Sequence, residues 1–351
     1  MRLIRLLLFP FSLCYGLVVI LRNLAYDCGL FKSNALNIPV ISVGNLAVGG
    51  AGKSPITAYL AKLFMDKYAL AILSRGYGRK TRGFLLVSRD SLSLEVGDEP
   101  LQFKHQFPGC TIAVCEDRVA GINQLVKNHE LILLDDAYQH RAVKPGLSIL
   151  LFDFNKLFRP QWLLPTGDLR EPLWGRKRAN IILITKTPFS LSQQVRQRCI
   201  ARIKPYQHQQ VFFSYLEYGD LRRVEDHSFV RSLDSIYSAT QILLVTGIAG
   251  AEPLVQKLRQ YSSQIQHHCY PDHHVYNRKN MLEIISAYQH FLATDKLVIT
   301  TEKDAQRLKD PSLTEFLSQV PIYYLPIQAV IHDQDKKKWD GLINAFVSGF
   351  N

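Results

Sequence analysis

A glycine-rich segment followed by a lysine and a serine is the feature of this sequence that most clearly predicts chemistry. The residues GNLAVGGAGKSP (44–55) follow the short apolar run PVISV (39–43) and precede the helical pattern ITAYLAKLF. Glycines let backbone N–H groups approach phosphate oxygens without hindrance from a Cβ atom. A strand, a glycine loop and a helix in this order are the context of a P-loop. The segment therefore predicts a nucleotide-binding site.

Each part of this loop has an expected role. Lys53 is expected to reach the β- and γ-phosphates and to act in catalysis, and the Ser54 hydroxyl is expected to ligate Mg²⁺. ATP is the expected nucleotide, because neither ITKTP (184–188) nor TEKD (301–304) completes the guanine-specific pattern N-K-x-D. The expected cofactor-binding residues, with an alanine in place of the first consensus glycine, are Ala47, Val48, Gly49, Gly50, Ala51, Gly52, Lys53 and Ser54.

Two acidic segments complement the loop. The apolar strand pattern in HELILLDDAYQH (129–140) ends in Asp135 and Asp136, and one of them is expected to hold Mg²⁺ or its water. In GDEP (97–100), Asp98 is placed to accept a proton from an attacking hydroxyl. Both segments have an ordinary alternative, since acids also end strands and begin helices.

Basic side chains form a second group of candidates. The glycine-containing loop SRGYGR (74–79) carries Arg75 and Arg79, whose guanidinium groups suit a phosphate, and Arg118 is a third such candidate. In YPDHHVY (270–276), one histidine is expected to act as a proton shuttle oriented by a carboxylate. A shared metal site is disfavoured there, because adjacent residues of a strand point to opposite faces.

The charge balance limits the class of partner. The chain of 351 residues has 42 Lys and Arg against 30 Asp and Glu, a net charge of +12. This excess suits an anionic membrane, a phosphorylated substrate or nucleic acid. No nucleic-acid-binding motif accompanies it, so no nucleic-acid partner is expected. Six cysteines without paired spacing predict reduced thiols in a cytosolic compartment.

The apolar N-terminus, residues 3–21, has several interpretations. A signal peptide is disfavoured, because no small-residue cleavage site follows Leu21. A full span is disfavoured, because residues 6–21 reach roughly 24 Å as a helix against about 30 Å of bilayer core, and because Pro10 interrupts the run. A helix lying in the membrane interface is favoured, with a buried core helix as the alternative. The residues of its narrow polar stripe are Arg2, Arg5, Ser12, Gly16 and Asn23, and the arginines expected to meet lipid phosphates are Arg2, Arg5 and Arg22.

The elements that must position these residues alternate between strands and helices. Apolar β-rich runs lie at 39–43, 69–73, 111–114, 131–134, 147–152 and 180–185, and a second series begins at 241. This alternation predicts an α/β fold, a P-loop NTPase-like doubly wound parallel sheet with a second, smaller α/β domain and an N-terminal apolar helix. The expected divisions are a membrane-associated helix at 1–25, a P-loop kinase domain at 26–207, a linker or hairpin at 208–238 and a C-terminal α/β domain at 239–351.

The ordered motifs resemble those of the tetraacyldisaccharide 4′-kinases, the lipid A 4′-kinases of Gram-negative bacteria. Several have no counterpart in other P-loop kinases, and they extend over nearly the whole chain. The matching segments are PVISVGNLAVGGAGKSP, LSRGYGR, GDEP, CEDR, LLDDAYQHR, LLPTGDLREP, GIAGAEP, YPDHH and TTEKDAQRL.

This resemblance implies an activity and a location. It implies transfer of the γ-phosphoryl group of ATP to the 4′-hydroxyl of a tetraacylated glucosamine disaccharide 1-phosphate, in lipid A biosynthesis. It also implies a peripheral, monotopic enzyme on the cytoplasmic face of the inner membrane. A monomer is expected. A soluble small-molecule kinase and a membrane-associated ATPase switch remain alternatives at this point.

The resemblance also implies site roles. Asp98 is implied as the base, assisted by His273 or His274, and the Mg²⁺–ATP site is implied at Lys53 and Ser54 with the acid pair that follows. The implied metal ligands are Ser54, Asp135, Asp136 and, less directly, Glu171 of the REP segment. The candidate substrate contacts are Arg75, Arg79, Arg118, Gln139 and His140.

Overall fold

Two β-sheets organise the chain. The structure is a computed structural model that describes residues 5–226 and 228–350. The strands are β1 (Val40–Asn45), β2 (Leu70–Ser74), β3 (Leu85–Leu86), β4 (Thr111–Val114), β5 (Leu131–Asp135), β6 (Leu147–Asp153), β7 (Ile181–Thr185), β8 (Gln210–Tyr218), β9 (Leu221–Arg223), β10 (Val230–Arg231), β11 (Gln241–Thr246), β12 (Ile265–Cys269), β13 (Lys296–Thr301), β14 (Ile322–Leu325) and β15 (Ile327–Ile331).

Helices connect most of these strands. The α-helices are α1 (Phe9–Asp27), α2 (Lys53–Phe64), α3 (Ser93–Val96), α4 (Asp98–Gln106), α5 (Arg118–Leu125), α6 (Phe154–Leu157), α7 (Gln193–Ile203), α8 (Glu252–Leu258), α9 (Arg278–Gln289), α10 (Glu302–Leu308), α11 (Thr314–Leu317) and α12 (Asp333–Ser348). Short 3₁₀ helices lie at Leu173–Arg178, Leu233–Ser235 and Pro311–Leu313.

The larger sheet places the P-loop strand near its centre. Its order is β15-β8-β7-β6-β1-β5-β2-β4-β3, with β1 parallel to β5 on one side and to β6 on the other. All six residues of β1 are buried, as expected for a parallel strand covered by helices on both faces. Val43 pairs with Asp135, so the end of β5 lies beside the start of the loop after β1. The predicted doubly wound sheet is confirmed.

The smaller sheet has the order β10-β9-β14-β13-β11-β12. Strands β11, β12, β13 and β14 run parallel, whereas β9 and β10 are antiparallel additions. A separate apolar core, which includes Val245, Met281, Ile284, Val298 and Phe316, lies between this sheet and its helices. The predicted second, smaller α/β unit is therefore confirmed.

The chain crosses between the two sheets twice. It leaves the larger sheet after Tyr218 and returns to it after Leu325, and the Gly219 N–H donates to the Pro326 carbonyl at 3.0 Å. After this return, β15 pairs antiparallel with β8, and Trp339 of α12 is fully buried with its ring 5.3 Å from that of Phe212. The final strand and helix therefore complete the larger unit, although the sequence placed residues 239–351 in one C-terminal domain. The exact limits of the predicted domains remain predictions.

Helix α1 packs with its polar side inward. Ser12 Oγ donates to Thr166 Oγ1 at 2.7 Å, and Asn23 Nδ2 donates to Glu171 at 3.1 Å. A Cβ atom on Gly16 would lie only 2.8 Å from Leu163, so glycine allows the close approach at this position. The predicted stripe of small and polar residues is thus the face that contacts the protein.

The opposite face of α1 is apolar and exposed. Phe11, Leu13, Leu17, Val18 and Leu21 each expose more than half of their surface. By length and composition, α1 is apolar enough to cross a membrane. The alternative of a buried core helix does not fit this exposure.

One expectation about α1 holds and one differs from the structure. The apolar run 6–21 is interrupted as expected, because residues 7–8 form a turn and α1 begins at Phe9, with Pro10 in its first turn where a missing N–H costs nothing. Arg5 donates to Asp168 at 3.2 Å and to the Gly167 carbonyl at 3.0 Å, which holds it on the protein instead of at lipid phosphates. Arg2 lies outside the described residues.

Candidate active site

The loop between β1 and α2 has the backbone shape of a phosphate cradle. Gly49 and Gly52 have φ values of +97° and +84°, a conformation that side chains other than glycine adopt only with strain. Thr185 Oγ1 donates to the Ala51 carbonyl at 2.7 Å and fixes the loop against β7. Helix α2 begins at Lys53 and has twelve residues, so its free N–H groups and dipole face the loop.

The two polar residues at the start of α2 face acidic partners. Lys53 Nζ lies 3.4 Å from Asn45 Oδ1 and 3.6 Å from Asp136 Oδ1. Ser54 Oγ donates to Glu99 Oε1 at 3.1 Å. Sequence reasoning assigned no role to Glu99, although it stands next to Asp98 in the GDEP segment. The adjacency was the one local signal that pointed to it.

Asp135 and Asp136 have different surroundings. Asp135 is fully buried, and Thr57 Oγ1 donates to its Oδ1 at 3.2 Å, whereas its Oδ2 has no hydrogen-bond partner. Burial, together with the charges of Glu99 and Asp136, raises the pKa of Asp135 to about 7. Asp136 accepts from Arg170 Nη1 at 3.1 Å. A buried carboxylate oxygen without a donor, beside the loop, is an arrangement that a cation would satisfy.

These residues fit Mg²⁺ bound together with a nucleotide. Within residues 5–226 and 228–350, no group of three or more His, Cys, Asp or Glu side chains is arranged to hold a metal ion by itself. Mg²⁺ commonly takes only one or two carboxylates and completes its shell with water and substrate phosphates. Ser54 and Asp135 supply that partial set, with Asp136 adjacent.

Asp98 lies at the start of α4, between an arginine and a histidine. Arg307 Nη2 and Nε donate to Asp98 Oδ2 at 2.6 and 2.8 Å, and His273 Nδ1 lies 3.2 Å from the same oxygen. Burial favours the neutral acid, but the hydrogen bonds from His273 and Arg307 hold the pKa of Asp98 below its ordinary value. Asp98 is therefore ionised at neutral pH.

The two adjacent histidines occupy different environments. His273 is partly exposed, has a φ of +59° and lies beside Asp98, with the Tyr77 ring 5.1 Å away. His274 Nε2 lies 2.9 Å from Asn280 Oδ1, and its ring stacks on Tyr270 at 4.5 Å. The geometry brings His273, and not His274, to the predicted base.

Helix α10 carries further residues of this site that sequence reasoning missed. Arg307 binds Asp98, and Lys303 forms an ion pair with Glu99. Asp304 anchors the helix, because it accepts from the Gly247 N–H at 3.0 Å and from Thr301 Oγ1 at 2.7 Å. The TEKDAQRL segment was part of the resemblance, but no local pattern indicated that it meets GDEP.

The predicted substrate arginines fall into two groups. Arg79 is bound by Glu116 and donates to the Gly83 carbonyl at 2.7 Å, an arrangement that favours a structural role. Arg118 is buried and donates to the Asp136 carbonyl at 3.4 Å, and its burial lowers its pKa to about 10. Arg75 is exposed at the end of β2. Its guanidinium suits a ligand best among the three.

Glu171 and its neighbours connect α1 to the site. Glu171 is fully buried and accepts from Arg178 at 2.7 Å, from Asn23 at 3.1 Å and from Gln139 at 3.3 Å. Gln139 also donates to the Asn45 carbonyl at 2.7 Å. Both oxygens of Glu171 already have donors, which favours a structural role over metal binding. His140 is half-buried, and burial followed by the charge of Arg118 lowers its pKa.

A cavity of about 320 Å³ lies on the β6 side of the P-loop. It is mostly apolar, and Asp153 and Lys156 are among its polar lining residues. The acids and Asp98 lie on the other side of the loop, where β5 neighbours β1. The sheet order therefore gives the loop two distinct flanks.

Comparison with known proteins gives consistent matches. A family model described as LpxK, tetraacyldisaccharide-1-P 4′-kinase, matches residues 4–347. The tetraacyldisaccharide 4′-kinase of Bacteroides thetaiotaomicron is 42% identical over 352 residues, covering 97% of this chain and 92% of that protein. The enzyme of the same name from Flavobacterium psychrophilum is 40% identical and covers 98% of this chain and 97% of that protein.

A solved structure resembles the whole fold. The crystal structure of LpxK from Aquifex aeolicus in complex with ATP has a TM-score of 0.74 and 28% sequence identity, and the match covers 98% of this chain and 99% of that one. Both sheets and the P-loop lie within the matched span. Since the sequence matches extend over the P-loop, the acid pairs and α10 alike, this chain belongs to the LpxK family of tetraacyldisaccharide-1-P 4′-kinases.

Proposed function

We propose that this chain transfers the γ-phosphoryl group of ATP to the 4′-hydroxyl of a tetraacylated glucosamine disaccharide 1-phosphate. Membership of the tetraacyldisaccharide-1-P 4′-kinase family supports both the kinase reaction and the lipid A pathway. One contact carries the mechanism, namely that between Ser54 and Glu99 at 3.1 Å. It places Asp98, the residue immediately before Glu99, near the expected Mg²⁺ ligand of the P-loop.

The loop and α2 bind the phosphates. The N–H groups around Gly50 and Gly52 and the start of α2 offer donors to phosphate oxygens, and Lys53 adds a positive charge. Ser54 with Asp135 or Asp136 would hold Mg²⁺, which when bound neutralises phosphate charge. Phosphoryl transfer needs positioning and charge compensation more than covalent chemistry, so these groups account for much of the expected catalysis.

Asp98 acts as the base. Its lowered pKa keeps it ionised at neutral pH, so it accepts a hydrogen bond from the acceptor hydroxyl and takes the proton as the oxygen attacks. His273, 3.2 Å away, is placed to orient the carboxylate and share its proton. The two hydrogen bonds from Arg307 fix the Asp98 carboxylate through Oδ2. The acceptor hydroxyl then approaches the remaining lone pairs of the carboxylate.

The two flanks of the loop suggest how the substrates are arranged. The γ-phosphoryl group must face Asp98, so the rest of the nucleotide extends away from it, towards the cavity on the β6 side. The acceptor then enters on the β5 side, where Arg75, Arg118 and His140 supply positive or polar groups. Arg75, which is exposed, suits the 1-phosphate of the acceptor.

The exposed face of α1 supports a membrane location. Monomeric soluble proteins rarely expose a long contiguous apolar patch, and an acylated substrate resides in a bilayer. We therefore place the enzyme peripherally on the cytoplasmic face of the inner membrane, as a monomer, with the leucine-rich face of α1 in the acyl region. Because Arg5 is bound to Asp168 and Gly167, we expect residues other than Arg5 to contact the lipid phosphates.

A transfer assay tests the proposed function. Purified enzyme receives ATP labelled at the γ-position, Mg²⁺ and the tetraacylated disaccharide 1-phosphate in mixed micelles. The label should move to the lipid, and ADP release should depend on the lipid. Slow hydrolysis that the lipid leaves unchanged would indicate an ATPase switch, and transfer to a soluble sugar or nucleoside alone would indicate a small-molecule kinase.

A further inference from the structure

A lysine of the smaller unit lies beside the P-loop. Lys303 is the second residue of α10, and its ammonium donates to Glu99 Oε1. The same oxygen accepts from Ser54 Oγ at 3.1 Å. An ammonium from one unit and the P-loop hydroxyl from the other therefore share one carboxylate oxygen.

The charges around Glu99 indicate what holds this lysine. The Glu99 carboxylate forms an ion pair with the Lys303 ammonium, and the charge of Lys53 also acts on it. One carboxylate therefore attracts both ammonium groups. An incoming polyphosphate carries more negative charge than one carboxylate and competes for both.

The pairing of Lys303 is not needed to hold the two units together. Arg307 already binds Asp98, and Gln106 Nε2 donates to Glu302 at 2.6 Å across the same contact between α4 and α10. Unlike Arg307, whose side chain is 5% exposed, Lys303 is 32% exposed. A flexible, partly exposed ammonium next to the Mg²⁺ ligand is suited to a ligand.

We propose that Lys303 is a second phosphate-binding lysine, which leaves Glu99 when ATP binds and donates to the γ-phosphoryl group. This inference rests on the proposed function, since it requires ATP in the P-loop. Lys53 approaches the phosphates from the larger unit and Lys303 from the smaller one. An added cation at the transferred group stabilises the charge that develops on its oxygens. The smaller unit thereby completes the catalytic site.

Binding measurements without the lipid test this role. Lys303→Met keeps the aliphatic stem and removes the charge, and Gln106→Ala, which removes a different polar contact of the same interface, is the matched control. Calorimetry in Mg²⁺ compares ADP with a non-hydrolysable ATP analogue. We expect Lys303→Met to weaken the ATP analogue about tenfold or more and ADP less than about twofold, as for loss of a charge-assisted contact to the γ-phosphate alone. The control should change neither.

A second measurement uses the wild-type protein and does not depend on how the variant folds. Amine acetylation followed by mass spectrometry should show Lys303 protected by the ATP analogue more than by ADP, relative to the exposed Lys62. Equal protection by the two nucleotides, or equal loss of both affinities in Lys303→Met, would overturn the assignment of Lys303. Failure of the wild-type protein to bind either nucleotide would instead contradict the proposed function.

Discussion

His273 and His274 are neighbours in sequence, yet their surroundings give them separate roles. The ring of His273 reaches Asp98, whereas that of His274 is held by Asn280 and the Tyr270 ring. Sequence patterns could name the DHH segment but could not choose between the two, because that choice depends on a backbone with positive φ at His273. Similarly, the contact of Lys303 with Glu99 joins residues 204 positions apart, which no local pattern encodes.

Replacing each histidine separates the two roles. We expect His273→Gln to lower kcat by roughly 10²-fold with little change in the KM for ATP, as for loss of an assisting acid–base group. His274→Gln is the matched control and should leave kcat within a few-fold. The measurement is steady-state transfer to the lipid. A larger loss of kcat in His274→Gln than in His273→Gln would reverse the assignment.

Asp135 should make the ligand-free protein sensitive to pH. Its pKa rises from 3.8 in the unfolded chain to about 7 in the fold, through burial and the charges of Glu99 and Asp136. The folded state therefore retains a proton that the unfolded chain has released, and this group reduces stability as the pH rises from about 4 to 7. Below about pH 4 both the folded and the unfolded chain hold this proton, so Asp135 does not make the stability depend on pH there.

Asp135→Asn removes this titration. The variant should gain thermal stability relative to the wild type at pH 8, with a smaller difference at pH 5, in unfolding scans without Mg²⁺ or nucleotide. It should also lose Mg²⁺-dependent ATP binding, because the amide has no negative charge and keeps only one of the two carboxylate oxygens. A stability difference between variant and wild type that is the same at both pH values would contradict the account of Asp135.

Among the elements, the buried strands were the easiest to predict. Parallel strands covered on both faces read as continuous apolar runs, and β1, β2, β5 and β7 are of that kind. Helix α1 shows the limit of such reasoning. Periodicity identifies which residues share a face, but it does not say which face is covered by protein. The polar stripe of α1 faces inward because the 163–171 segment offers polar partners.

The outward face of α1 can be tested by substitution. Phe11→Gln, Leu17→Gln and Leu21→Gln together should weaken binding to anionic vesicles by at least about tenfold, because each side chain contributes about 1.5 kcal/mol or more when fully buried. Ser12→Ala, on the inward face, is the control and should retain vesicle binding. Vesicle sedimentation measures both. Unchanged sedimentation of the triple variant would contradict the membrane role of this face.

At the scale of the whole molecule, two sheets are joined by two adjacent crossings, at Gly219 and Pro326. The sequence predicted both sheets, but the return of β15 and α12 to the larger one was missed. A strand of the sequence IQAVI fits either sheet by composition, and only tertiary pairing with β8 decides. The active site likewise depends on tertiary contacts that local patterns do not reveal, because α10 from one unit meets α4 from the other.

The most direct test of the account is phosphoryl transfer by Asp98→Ala, measured together with its nucleotide affinity. Labelled ATP and the tetraacylated disaccharide 1-phosphate are the substrates, and Asp66→Ala, at an exposed aspartate outside the site, is the control. Transfer by Asp98→Ala should fall by about 10²- to 10⁴-fold, as for loss of a general base, while its Kd for ATP stays within a few-fold of the wild type. Transfer at the wild-type rate by a correctly folded Asp98→Ala protein would show that Asp98 is not the catalytic base.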